Sequence, residues 1–154
     1  MKQVAGKRNV GSRLLFLAYC TLMLWLLFGQ RLGEDGFHIS FENTRQNVNF
    51  VPFETVRLYL RMLQNGASEQ LLRHAFINLV GNVVMFVPLG WLLPAVWEKL
   101  RCFFKSFFLA AAMICAVEAV QFATDLGSCD IDDLILNLAG ITLGYSLWRL
   151  THRK

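Results

Sequence analysis

The sequence predicts an all-α, polytopic membrane protein: a bundle of four transmembrane helices with a short amphipathic helix in its first external loop. Three observations predict it. Of the 154 residues, 55% are hydrophobic and 17% charged, against about 45–50% and about 25% in soluble domains. Four stretches, at about residues 14–30, 75–97, 106–124 and 132–148, are poor in charge and long enough to cross hydrocarbon at ~1.5 Å of helical rise per residue. Basic residues gather at alternate ends of these stretches, as the asymmetry of membrane flanks requires. A chain of this length makes one domain, residues 1–154.

The first stretch carries no charged residue and follows Lys2, Lys7, Arg8 and Arg13. No small-x-small cleavage pattern follows it, so it reads as a retained helix rather than a signal peptide. In the second, Ser68 precedes Glu69 and Gln70 and is a candidate N-cap, which would start the helix before the apolar run. Pro88 lies inside this span, removes a helical hydrogen bond and predicts a kink. The third is interrupted only by Glu118, and the fourth is flanked by Asp132 and Asp133 at one end and Arg149 at the other.

Direction follows from the flanks. The N-terminus, the loop holding Lys99, Arg101 and Lys105, and the C-terminal Arg149, Arg153 and Lys154 fall on one side of a four-span chain. That side is the cytoplasmic face of a bacterial plasma membrane, with both termini inside. The external loop, residues 31–74, balances five Arg against five acids. Within it, Val56, Leu60 and Leu63 recur at helical spacing while Arg57 and Arg61 share another face. This predicts an amphipathic helix over 54–64 at the outer interface, or an ordinary linker helix.

Ionisable groups inside a span cost ~2.5–3.5 kcal/mol on insertion scales and turn towards the bundle interior. Asn78 and Asn82 are four apart on the outer half of the second span. Glu118, Gln121 and Asp125 share a face of the third, and Asp133 and Asn137 a face of the fourth. The three faces lie at similar depth, so we expect Asn82, Glu118, Gln121 and Asn137 to converge. Asp125, Asp130, Asp132 and Asp133 would stand at the mouth. Asparagines at such positions also serve as interhelical glue, and spacing leaves both readings open. Gly140 and Gly144, one turn apart, would let helices approach closely within a chain or between copies.

The composition also excludes chemistry. The net charge of +4 comes from membrane flanks rather than a basic face interleaved with aromatics, so no nucleic acid is expected. Cys20, Cys102, Cys115 and Cys129 form no CxxC pair, and only Cys129 would face outside, so neither an internal disulfide nor a zinc site is expected. Asp130, Asp132 and Asp133 lack calcium-loop spacing, and the helix dipole is a sufficient reason for the last two. No metal or cofactor is expected, and no nucleophile elbow, Walker loop or HExxH motif is present.

Four strings are recognisable in order: NFVPFETV at 49–56, NLVGNVVMFVPLGWLLP at 78–94, VEAVQ at 117–121 and GSCDIDDLILNLAGITLGY at 127–145. Together they resemble the VanZ-like family, named for a protein linked to teicoplanin resistance in bacteria. The family pattern highlights Asn78, Asn82, Pro88, Glu118, Gln121, Asp130, Asp133, Asn137 and Gly140. Many relatives carry an Arg where this chain has Gly127, so no role of that Arg is transferred. The resemblance implies an envelope protein that lowers susceptibility to teicoplanin-type lipoglycopeptides by binding or shielding a lipid-linked or cell-wall component. The polar cluster would face outward and the partners would be membrane lipids. The alternative is a membrane enzyme acting on a lipid or lipid-linked substrate, with Glu118 as general acid or base. A small transporter that would benefit from homo-oligomerisation is a third reading.

Overall fold

The structure is a computed structural model that describes residues 2–29, 48–124 and 129–152. Within them the chain is helical apart from one pair of two-residue strands and the short connections between elements. Helix α1 spans Lys2–Leu24 and widens into a looser turn at Trp25–Gly29. A short strand β1, Val48–Asn49, leads into helix α2, Glu54–Gln64. Helix α3 follows at Glu69–Val96, then a tight turn at Glu98–Leu100, then helix α4 at Phe103–Ala123. Strand β2, Cys129–Asp130, runs directly into helix α5, Ile131–Thr151.

Among the described residues, three helical stretches are long and apolar enough to cross a membrane: Val10–Gly29, Glu69–Val96 and Phe103–Ala123. Their surfaces fit that environment. Leu14, Leu15 and Leu17 of α1 and Phe104 and Phe108 of α4 are exposed on the outside of the bundle, as lipid-facing side chains must be where the solvent is hydrocarbon. Helix α5 is not in this group. Asp132, Asp133 and Asn137 in its first two turns lower its apolar character, although its length of 21 residues matches a span.

Helix α3 is the hub: it packs most extensively on α5 and also against α1, α2 and α4. Its start is set by Ser68, whose extended backbone precedes Glu69 and whose carbonyl accepts from the Leu72 N–H. The helix therefore begins ahead of the apolar run at residue 75, and it continues unbroken through Pro88 and Pro94. The core is one cluster: Phe86, Leu89 and Leu93 from α3, Ala110 and Ile114 from α4, and Ile141 from α5. Helix α1 joins through two contacts. The Tyr19 hydroxyl donates to the Met85 carbonyl at 2.9 Å, and Phe16 sets its ring edge-on to Trp97 at 4.9 Å.

The α3–α5 contact is backbone against backbone. A Cβ on Gly90 would overlap the Ile141 carbonyl, one on Gly140 the Val83 carbonyl, and one on Gly144 the Val87 carbonyl. Small residues are needed because dispersion between closely fitted helices replaces the hydrophobic drive that lipid cannot supply. Within one chain Gly140 and Gly144 pack against α3. At the far end of α5 the Tyr145 hydroxyl donates to the Arg101 carbonyl at 2.5 Å, which ties the α3–α4 turn to the bundle.

A bulkier side chain at this contact forces the helices apart. We expect Gly144→Val to lower stability by about 1–3 kcal/mol, measured by thermal unfolding in detergent. Gly81→Ala, which meets nothing within 4 Å, should not be destabilising.

Candidate functional site

The start of α5 is built around three acids within about one turn, Asp130, Asp132 and Asp133. Asp130 is the N-cap, with extended backbone, and its Oδ1 accepts from the Asp132 N–H at 2.9 Å. The same carboxylate reaches out of the helix. It accepts from the Asn49 side-chain amide at 3.2 Å and from the Thr55 hydroxyl at 2.8 Å. Next to it, β1 and β2 pair in parallel with Val48 opposite Cys129 and Asn49 opposite Asp130. The β1–α2 segment is thus joined to the α5 N-terminus by backbone and side chain together.

Asp132 makes the second connection and is the most buried acid, 1% exposed. Its Oδ1 accepts from the Phe53 N–H, in a short hydrogen bond, and its Oδ2 from the Thr55 N–H at 2.7 Å. A buried carboxylate is costly unless paired. Two charge-assisted backbone bonds and the positive end of the α5 dipole supply the compensation. The same bonds explain an unusual backbone: Phe53 has φ 63°, the left-handed region, at the N-cap of α2. For a bulky residue that conformation costs ~1–3 kcal/mol. It aims the Phe53 and Thr55 N–H groups at one carboxylate. The Asn49 side-chain oxygen, accepting from the Val51 N–H at 3.0 Å, completes the turn.

Asp133 makes the third connection, accepting from the Asn82 side-chain amide of α3. One helix start therefore holds β1, the entrance of α2 and the N-terminal half of α3.

Glu118 approaches from the other side. With Asp130 it lines a cavity of about 330 Å³ between α4, α5 and the β1 segment, shared with Phe50 and Phe122. Gln121 is buried but turns elsewhere: its amide donates to the Leu27 carbonyl at 3.2 Å and fastens the turn after α1 to α4. Asn137 is 4% exposed, and its Oδ1 has no partner among the described residues.

The expected convergence is therefore divided. Asn82 with Asp133, and Glu118 with Asp130, meet at the start of α5. Gln121 instead donates to the Leu27 carbonyl in the turn after α1. Asn78 lies exposed in the N-terminal half of α3. Pro88 lines a separate apolar groove with Tyr19, Trp91 and Leu147. Asp125 lies outside the described residues. Sequence reasoning does not find Asn49, Phe53 and Thr55 as members of the site; it places Asp132 at the mouth of the cluster without its partners. The string NFVPFETV contained all three, but nothing in it names a distant acid as its partner. A left-handed backbone at a phenylalanine has no sequence signal.

The sequence model of a family described as VanZ/LLP1 matches residues 16–152. The chain belongs to the VanZ/LLP1 family. It is 31% identical over 144 residues to Protein VanZ of Enterococcus faecium, which covers 92% of this chain and 76% of that protein. No solved structure matches the chain significantly. The VanZ/LLP1 match begins within α1 and ends at the last turn of α5, so it includes every residue of the acid-centred junction.

Within this VanZ/LLP1 member, Asp132 is the residue whose loss should free the β1–α2 segment. Asp132→Ala leaves two N–H groups unsatisfied. We expect a stability loss of about 3 kcal/mol, with new protease cleavage between residues 49 and 68 detected by limited proteolysis and mass spectrometry. An unchanged cleavage pattern would show that the segment is held by other contacts.

Proposed function

We propose that the protein is a four-span envelope protein of the bacterial plasma membrane, with both termini cytoplasmic and the acid-centred junction facing outward. It would lower susceptibility to teicoplanin-type lipoglycopeptides by binding or shielding a lipid-linked or cell-wall component. The observation that carries this reading is the gathering of Asp130, Asp132 and Asp133 at one helix start, beside a cavity that also contains Glu118. Kinship with Protein VanZ supports the envelope role, and the flanking Lys and Arg support the orientation.

The bonding of α5's acids supports its assignment as the fourth span. Asp132 is satisfied by backbone N–H groups and Asp133 by Asn82, so their charges need not face lipid, and hydropathy alone understates the helix. Helix α2 supports an outer-leaflet seat. Leu60 is 51% exposed, Leu63 is similarly exposed, and Phe50, Val51 and Phe53 are exposed beside them. Arg57 and Arg61 lie on another face, the arrangement of an interfacial helix near lipid headgroups. The partners of this surface are membrane lipids.

Two measurements test the reading. Cys102 is exposed in the α3–α4 turn, so a membrane-impermeant thiol reagent should label it in inverted vesicles and not in intact cells. Inhibitory concentrations of teicoplanin and vancomycin should be compared in a susceptible host carrying wild type or Glu118→Gln at matched membrane levels. We expect protection by wild type only, against teicoplanin only. Equal susceptibility with and without the protein would remove the resistance role. A new lipid species, seen by mass spectrometry and lost in Glu118→Gln, would replace shielding with catalysis.

A further inference from the structure

We propose that the turn at residues 50–53 and helix α2 form a rigid wedge that docks into an anionic lipid surface. The turn enters the boundary between headgroups and acyl chains, and Arg57 and Arg61 hold headgroup phosphates. The inference deepens the interfacial seat given above to α2, and it rests on that reading for placing the wedge in the outer leaflet. The first ground is what the turn exposes. Phe50 is 71% exposed, Val51 and Phe53 are 52% exposed, and Pro52 between them is exposed too. Four consecutive apolar side chains make a patch that water penalises. A turn free to relax would fold some of them inward. This one is held: Asn49 Oδ1 accepts from the Val51 N–H and Asp132 Oδ1 from the Phe53 N–H, and Phe53 keeps its left-handed backbone. Strain and apolar exposure therefore coincide at one point, as they do where a conformation serves a contact.

The second ground is the backbone. Non-helical chain approaches hydrocarbon only where its polar groups are satisfied internally. The N–H groups of Val51, Phe53, Glu54 and Thr55 go to Asn49 Oδ1, Asp132 Oδ1, the Val51 carbonyl and Asp132 Oδ2. Pro52 has no N–H to satisfy. The Phe53 carbonyl accepts from the Arg57 N–H. A turn facing water could leave such groups to solvent. The third ground is charge, and it selects the lipid. Arg57 and Arg61 lie one and two turns beyond Phe53 and are exposed. Neither has an acid within ion-pair distance among the described residues. Leu60 and Leu63 continue the apolar surface along α2. Guanidinium groups beside inserted apolar side chains match phosphate oxygens above acyl chains. A second copy docked through the same face would bring the two arginine pairs together, because such a contact is self-complementary.

The test uses full-length protein in nanodiscs, with Cys20, Cys102, Cys115 and Cys129 replaced by Ala. A single cysteine is introduced by Val51→Cys or, as a control at the end of α2, by Gln64→Cys, and carries a nitroxide. Its collisions with oxygen, which concentrates in hydrocarbon, are compared with those with a neutral, water-soluble nickel chelate. Discs expose both faces, so the readout is independent of the orientation of the chain. In phosphatidylglycerol we expect the oxygen-to-nickel ratio at position 51 to exceed that at position 64 several-fold. The ratio at position 51 should fall in phosphatidylcholine, and high salt should lower it in phosphatidylglycerol. Arg57→Gln with Arg61→Gln should abolish the difference between the two lipids, with folding checked by thermal unfolding in detergent. Equal ratios at positions 51 and 64 overturn the wedge. Low collision with both reagents at position 51 means that protein covers the turn, and overturns it equally. A ratio at position 51 that is the same in both lipids overturns the phosphate contact. A turn outside lipid while wild type still protects against teicoplanin removes this site alone. A wedge in lipid with no protection upholds this site and removes the resistance role.

Discussion

The carboxylate of Asp132 is the constraint on which the junction of β1, α2 and the α5 N-terminus depends. It is almost fully buried, and its two oxygens are matched to the N–H groups of Phe53 and Thr55. Neither side of this contact is stable without the other. The acid needs donors because burial penalises its charge, and the left-handed backbone at Phe53 needs an acceptor to hold it there. Once it is made, the direction of the chain into α2 is fixed, and the amphipathic helix is carried to one side of α3. Asp130 and Asp133 extend the same junction to β1 and to α3, so a short acidic run organises three elements.

The junction rests on a second constraint farther along α5. Gly140 and Gly144 bring α5 against the carbonyls of Val83 and Val87, and Gly90 answers from α3 against Ile141. This close approach sets the register in which Asn82 reaches Asp133. Packing and polar bonding are therefore one arrangement: the glycines fix the distance between the helices, and the amide–carboxylate bond uses it. The core of Phe86, Leu89, Ile114 and Ile141 fills the space that remains towards α4.

The cavity beside the junction follows from the same geometry. Helix α4 is held to α5 less extensively than α3 is, and the gap between α4 and α5 is where Glu118 and Asp130 face a shared space. The acids thus have different duties. Asp132 and Asp133 are absorbed by the fold, whereas Asp130, whose two oxygens bond Asn49, Thr55 and the Asp132 N–H, also lines the cavity together with Glu118.

Helix positions were legible because their physics is local. The apolar runs, Ser68 ahead of Glu69 and the alternation of Val56, Leu60 and Leu63 with Arg57 and Arg61 each depend on neighbours a few residues away. Helices α2 and α3 begin accordingly at Glu54 and Glu69. The character of α5 was less legible. Its acids count against a span in any sum over residues, and only their partners remove that cost. The polar cluster was legible as a set of faces, since spacing and depth are properties of each helix alone. It was not legible as a set of bonds. Rotation of α4 sends Gln121 to Leu27 and leaves Glu118 beside Asp130, and no periodicity specifies that angle. The sequence by itself determined which segments are helical and which residues would resist lipid, because helix propensity and transfer free energy act residue by residue. Only the tertiary structure decided that Asn49, Phe53 and Thr55 complete the acids of α5, because those partners lie some 75–81 positions away and meet only when the glycine-lined helices have closed.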